Sequence, residues 1–213
     1  MNRPETRISL PSRKNLSNRG SEPYGSRMRF KVLGPLHVTG SEGPITLGGP
    51  KQRAVLAHLL VRANELVPAE SLIDQVWSGE PPEAARGTIH SYISHLRKAL
   101  GADRIEGRPP GYVLHVGADE LDAERFERLL REARFANGSP GRAGNLLREA
   151  LLLWTGPAFA DLSFEPSLAA EIARLEAGGA RLQGELLAVA PETDRDGFAL
   201  GQCGQRRQAD VCA

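Results

Sequence analysis

Residues 83–101 read "EAARGTIHSYISHLRKALG", and this stretch decides how the rest of the chain is read. Ile89, Ile93, Leu96 and Leu100 recur at i, i+4, i+7 and i+11, the spacing of one buried helix face. The opposite face carries Gly87, Thr88, Ser91, Ser94, His95 and Lys98, and no carboxylate follows Glu83. An ordinary solvated helix surface mixes signs. A face of short, hydroxylic or donor side chains without acids suits close approach to a polyanion. DNA phosphates repel carboxylates, and base edges accept from donors at short range.

The flanking segments give that helix a setting. Upstream, "PKQRAVLAHLLVRANELV" opens with Pro50, favourable in a first helical turn, and places Val55, Leu56, Leu59 and Leu60 in a stripe. "PAESLIDQVWSG" is a shorter helix with Leu72, Ile73, Val76 and Trp77 on one side, ended by Gly79 and followed by Pro81 and Pro82. Downstream, two apolar runs flank "GRPPG", which predicts a β-hairpin with Arg108 at its tip. Further upstream, "MRFKVLGPLHV" predicts a strand running to Val38 with a break at Gly34 and Pro35, and Gly43 to Leu47 a second one. Strands, three helices and a hairpin make a winged helix-turn-helix. In that fold the polar face lies in a DNA major groove. Thr88, Ser91, Ser94, His95 and Lys98 face the bases or phosphates. Arg86, His90 and Arg97 flank them, in reach of the two phosphate strands. Arg108 at the wing tip suits the negative potential of a minor groove. The bland alternative is a solvated helix face.

From residue 118 the character changes. "DELDAERFERLLREARF", "PGRAGNLLREALLLW" and "FEPSLAAEIARLEA" are amphipathic helical segments separated by Gly/Pro loops, which predicts antiparallel helical hairpins. The acidic run at 118–133 reads most simply as a solvated helix face. From Gly178 onward the periodicity fails, and residues 178–213 are expected to be an irregular tail. Residues 1–27, rich in Ser, Asn, Arg and Pro, are expected to be a disordered basic tail, with Met28 an alternative start. Residues 28–117 form the winged-helix unit and 118–177 the helical unit.

Charge divides along the same lines. The 213 residues are near neutral at +1, but residues 1–27 carry +4 and residues 28–117 carry +2, while residues 118–177 carry −4. A basic front half points weakly to an anionic partner. No stretch approaches 18 apolar residues and the first 27 lack an apolar core, so neither a membrane span nor a signal peptide is expected. Only Cys203 and Cys212 occur, so no disulfide framework is expected and a cytoplasmic location fits.

Several segments together resemble a known family. "RFKVLGPLHV", "GGPKQRAVLAHLLVRANELVPAESLIDQVW", "TIHSYISHLRKALG" and "GYVLHV" are similar to the OmpR/PhoB-type winged helix, in the version found in streptomycete antibiotic regulatory proteins (the SARP family). "LDAERFERLLREAR", "LLREALLLWTGPAFADL" and "EIARLEA" resemble the bacterial transcriptional activation domain that follows it there. The resemblance implies a mainly α fold with small β elements, a winged helix-turn-helix followed by tetratricopeptide-like hairpins. It also implies a transcriptional activator that binds double-stranded DNA at direct repeats, as a homodimer or as adjacent subunits, and contacts RNA polymerase. By position, Thr88, Ser91 and His95 would face bases, Tyr92, Arg97 and Lys98 would lie near the backbone, and Arg108 would enter the minor groove. This chain has Ser94 and His95 where the broader class often has Arg, which leaves its base preference open. The family's second domain continues with further leucine-rich helices, so loss of pattern at Gly178 reads as a truncated or frameshifted C-terminus.

Other chemistry finds little footing. His37, His58, His90, His95 and His115 show no metal spacing, no HExxH occurs, and "GPITLGGPKQR" lacks the phosphate-loop spacing, leaving Lys51 and Arg53 as candidate phosphate contacts. No catalytic triad motif occurs. No enzyme activity, cofactor or metal is expected. The alternative is a protein-interaction module, or a non-functional truncated copy with weak DNA binding.

Overall fold

In β1 (Arg29–Lys31) Phe30 is buried and its neighbours are exposed, the alternation of a half-buried strand. The computed structural model describes residues 27–136 and 140–189. The expectations for the N-terminal tail before residue 27 and for Cys203 and Cys212 lie outside the described residues. β1 pairs antiparallel with β2 (His37–Gly40), which pairs in turn with β3 (Gly43–Ile45). The run from Arg29 to Val38, expected as one broken strand, is two strands joined by a reversal. Gly34 makes it possible with a φ of +154°, and a Cβ there would overlap the Thr155 hydroxyl.

α1 (Pro50–Val61) is buried at every position from Ala54 to Leu60. A helix apolar all round belongs at the centre of a fold. α2 (Ala69–Trp77) ends where Ser78 and Gly79 adopt left-handed conformations, with φ of 53° and 85°. The chain then enters α3 (Ala85–Leu100), whose Ile89, Ile93, Leu96 and Leu100 are at most 1% exposed and which packs on α1 and α2. The hairpin of β5 (Ile105–Arg108) and β6 (Gly111–Leu114) follows as expected. A third strand, β4 (Leu66–Pro68), completes the sheet in the order β4-β6-β5. Its three residues show no alternation to read, and Pro68 is tolerated because β4 is an edge strand. Gly111 is dictated by that pairing, since a Cβ would overlap the Val67 carbonyl.

The second unit is α4 (Asp122–Phe135), α5 (Pro140–Leu151) and α6 (Ala169–Val189), packed consecutively. α6 corrects the expected loss of structure at Gly178. It continues to Val189 and buries Leu182 and Leu186. Gly178 and Gly179 read as helix breakers, yet here they permit contact. A Cβ on Gly178 would sit 3.2 Å from the Phe126 ring, and one on Gly179 3.1 Å from Trp154.

Both units share one hydrophobic core. The acidic run expected as a solvated face contributes two of its buried polar anchors. Glu120 accepts from the Met28 N–H at 2.8 Å and holds Arg104 through two bonds, of 2.6 and 2.9 Å. Asp122 accepts from the N–H groups of Val32 and Leu33. Burial pushes its carboxyl up to about 6, against the pull of those donors. Arg53, expected near DNA phosphates, instead pairs with Asp161 and donates to the Leu36 carbonyl at 2.6 Å. Lys51 likewise turns inward, to the Val76 carbonyl. β1 also bridges Leu121 in parallel, and the Phe159 N–H reaches the Val32 carbonyl at 2.9 Å. The N-terminal sheet thus clamps the winged helix to the helical unit.

Candidate nucleic-acid interface

α3 spans sixteen residues, about 24 Å of helix. One face is fixed in the core by its four aliphatic residues, so the other must look outward. His90, Ser91, Ser94, His95 and Lys98 are all exposed there, with Arg86 and Gly87 at the N-terminal end. The helix carries no carboxylate and has Arg97 and Lys98 in its last turn, where the helix dipole favours cations.

Several expected contacts have partners within the protein, which sequence alone does not reveal. Arg86 pairs with Glu70 of α2, and both side chains are more than 60% exposed, so the pairing is a weak surface one. The Thr88 hydroxyl donates to the Ala84 carbonyl at 3.1 Å within the first turn. Tyr92 is half-buried against the core. Arg97 is half-buried and donates from Nε to the Ile105 carbonyl at 2.7 Å, tying α3 to the first wing strand. The His90 Nδ1 lies 3.0 Å from the Tyr112 hydroxyl, and the two rings meet edge to face at 5.9 Å. Burial raises the Tyr112 hydroxyl's pKa, opposed by Arg97 and Arg86 nearby, so it remains a neutral hydroxyl.

Two bonds, from Arg97 and His90, therefore pin the wing to α3. Arg108 follows Gly107 at the end of β5, where an added Cβ on Gly107 would lie 3.1 Å from Arg97 Nη2. Arg108 is exposed, and the Pro109–Pro110 bond beyond it is cis. The arrangement is an acid-free helix face with a basic wing tip tied beside it by two hydrogen bonds.

Two domain families match this chain in that order. "Transcriptional regulatory protein, C terminal" matches residues 43–114, and "Bacterial transcriptional activator domain" matches residues 121–203. The chain belongs to the SARP family of transcriptional regulators. This SARP-family chain is 40% identical over 151 residues to the transcriptional regulatory protein EmbR of Mycobacterium tuberculosis, an alignment covering 67% of this chain and 39% of EmbR. It is 33% identical to the regulatory protein DnrI of Streptomyces peucetius, across 70% of this chain and 60% of DnrI. The solved structure of EmbR in complex with a low affinity phosphopeptide superposes with a TM-score of 0.77 and 31% identity, covering 83% of this chain and 49% of that one. The chain thus spans about two fifths of EmbR and three fifths of DnrI. The activator-domain match reaches residue 203, past the point where the sequence pattern was expected to end. Among the described residues, no helix is long and apolar enough to cross a membrane.

Proposed function

We propose that this SARP-family chain is a sequence-reading DNA-binding activator that places α3 in the major groove and Arg108 in the adjacent minor groove. The observation that carries the reading is the outward face of α3: five exposed donors or hydroxyls, His90, Ser91, Ser94, His95 and Lys98, on a helix without acids. Ser91, Ser94 and His95 approach base edges, and Lys98 approaches a phosphate. Arg86 exchanges Glu70 for a phosphate, which an exposed pair allows at little loss. Thr88, Tyr92 and Arg97 support the interface, Thr88 and Arg97 through the protein bonds they already make. Adjacent subunits on direct repeats multiply the affinity of each small interface. The helical unit then contacts RNA polymerase.

His95→Ala tests this. On duplexes varied one base pair at a time, the substitution relaxes discrimination at one position by about 1–2 kcal/mol and leaves the others unchanged. Equal binding to all duplexes before and after the change refutes base reading. It leaves a protein-interaction module as the better account.

A further inference from the structure

We propose that Tyr112 is a positioning residue for DNA contact: its hydroxyl donates to Nδ1 of His90 and so fixes the imidazole as an Nε2–H donor to one DNA phosphate oxygen between α3 and the wing. The proposal rests on the reading of α3 as a DNA-binding helix.

The two residues come from different elements. His90 is exposed on α3, beside Ser91 and one turn before Ser94. Tyr112 is 5% exposed on β6, where it pairs with Gly107 of β5, next to the Arg108–Gly111 pair at the wing turn. Their rings meet edge to face at 81°, and the Tyr112 hydroxyl lies 3.0 Å from Nδ1. This contact puts the imidazole on the side of α3 that faces the wing. With α3 in the major groove and Arg108 in the adjacent minor groove, the DNA between them is the phosphate backbone that separates the two grooves. His90 therefore meets a phosphate rather than a base edge.

A phosphate oxygen only accepts, so the ring must present an N–H to it. A neutral imidazole has one N–H and one bare nitrogen, and a partner at either nitrogen decides which is which. Among the described residues the Tyr112 hydroxyl has no hydrogen-bond partner other than Nδ1. The charged groups that act on it, Arg97 and Arg86, are donors only. Bare Nδ1 is thus the acceptor that the O–H can use, and the ring proton resides on Nε2. The reverse tautomer would leave the O–H without an acceptor and turn a lone pair toward the phosphate. No described residue competes for Nε2. The edge-to-face contact also fixes the ring plane, so the donor is ordered before DNA arrives.

The test uses the full chain and a promoter duplex from upstream of its own gene, with variants of that duplex changed one base pair at a time, read by anisotropy. NMR of the free chain with isotope-labelled imidazole nitrogens should show His90 with a bare Nδ1 and a protonated Nε2. A protonated Nδ1 beside a bare Nε2 overturns the proposal. Tyr112→Phe keeps the ring and removes only the hydroxyl. It should weaken binding about fivefold, the worth of one net hydrogen bond, and His90→Ala at least as much. Both losses should be equal on every duplex, as a phosphate contact requires. The double variant should bind like His90→Ala alone, because Tyr112 acts through His90. Additive losses, which a merely structural role of Tyr112 would give, overturn the proposal. So does unchanged binding in Tyr112→Phe, or a loss that depends on one base identity, which would make His90 a base reader. Backbone NMR spectra that match the unmodified chain away from the wing show that the variants are folded. If the unmodified chain binds no duplex, the DNA reading fails and this proposal with it, whereas duplex binding with additive losses removes the proposal alone.

Discussion

Glu120→Gln removes one charge from the most deeply buried ion pair among the described residues. The side chains of Arg104 and Glu120 are 4% and 2% exposed, and they meet through two hydrogen bonds. Glu120 also accepts from the N–H groups of Met28 and Gly117, both at 2.8 Å. Burial alone would raise its pKa, but the Arg104 bonds and these two donors outweigh it, and the carboxyl titrates below its ordinary range. Gln keeps one acceptor oxygen but turns an amide N–H toward the guanidinium, so Arg104 loses the buried carboxylate that two of its hydrogen bonds meet. Breaking a buried pair from one side costs about 3–5 kcal/mol. With an m-value of about 2 kcal/mol/M in urea, the unfolding midpoint should fall by roughly 1.5–2.5 M. Since the folded pKa is depressed, the wild-type advantage is present above the ordinary glutamate pKa and is lost as pH falls through the lower folded value. Adding Arg104→Met should recover at least about 1 kcal/mol, because it removes the buried charge whose carboxylate partner the first substitution neutralised. Urea unfolding of the full chain at neutral pH measures all three variants. A loss under about 1 kcal/mol for Glu120→Gln, with no recovery in the double variant, would refute the claim that Glu120 is a buried polar anchor of the shared core.

His58 lies in the core with its Nε2 3.0 Å from the Ser167 hydroxyl, and burial lowers its pKa to about 4. Its folded pKa is depressed, so its contribution is full above pH 6.5 and is lost as pH falls toward 4, reaching about 2 kcal/mol lost by pH 5. Thermal melts of wild type and His58→Gln at pH 7.5 and 5 should converge by that amount. Parallel pH dependence in the two would contradict the assignment. Gly111→Ala should destabilise by about 1–3 kcal/mol because both β4 and β6 backbones must yield, whereas Gly87→Ala, where an added Cβ meets open space, should stabilise by about 0.5 kcal/mol. Chemical denaturation separates them by sign. Arg97→Met strands the Ile105 carbonyl and should cost about 1–2 kcal/mol. It should also weaken DNA binding more than that stability loss explains, and an unaltered duplex affinity would remove Arg97 from the role of positioning the wing.

Much of the winged helix was legible because its signals are local and periodic. Ile89, Ile93, Leu96 and Leu100 could be read as one face from spacing alone, and "GRPPG" between apolar runs could only be a turn. The acid-free face of α3 was legible for the same reason. What escaped was long-range. Glu120, Asp122, Arg53 and Asp161 look like surface charges one at a time, and their partners lie far away in sequence, 108 residues for Arg53 and Asp161. Nothing near Arg97 or His90 in sequence says that their partners are Ile105 and Tyr112. Gly178 and Gly179 were misread because low helix propensity and close packing leave the same mark on a sequence, and only the facing Phe126 and Trp154 tell them apart.

The most direct test of the central claim is anisotropy of the full chain on promoter duplexes and on scrambled ones, titrated with salt. Reading by α3 predicts a preference for one duplex that survives added salt, over an affinity that falls by roughly 0.9 in log K per log salt for each phosphate contacted. Substituting His95 or Arg108 with Ala should shrink the preference more than the slope. Equal affinity for every duplex, or a preference unmoved by either substitution, would contradict it.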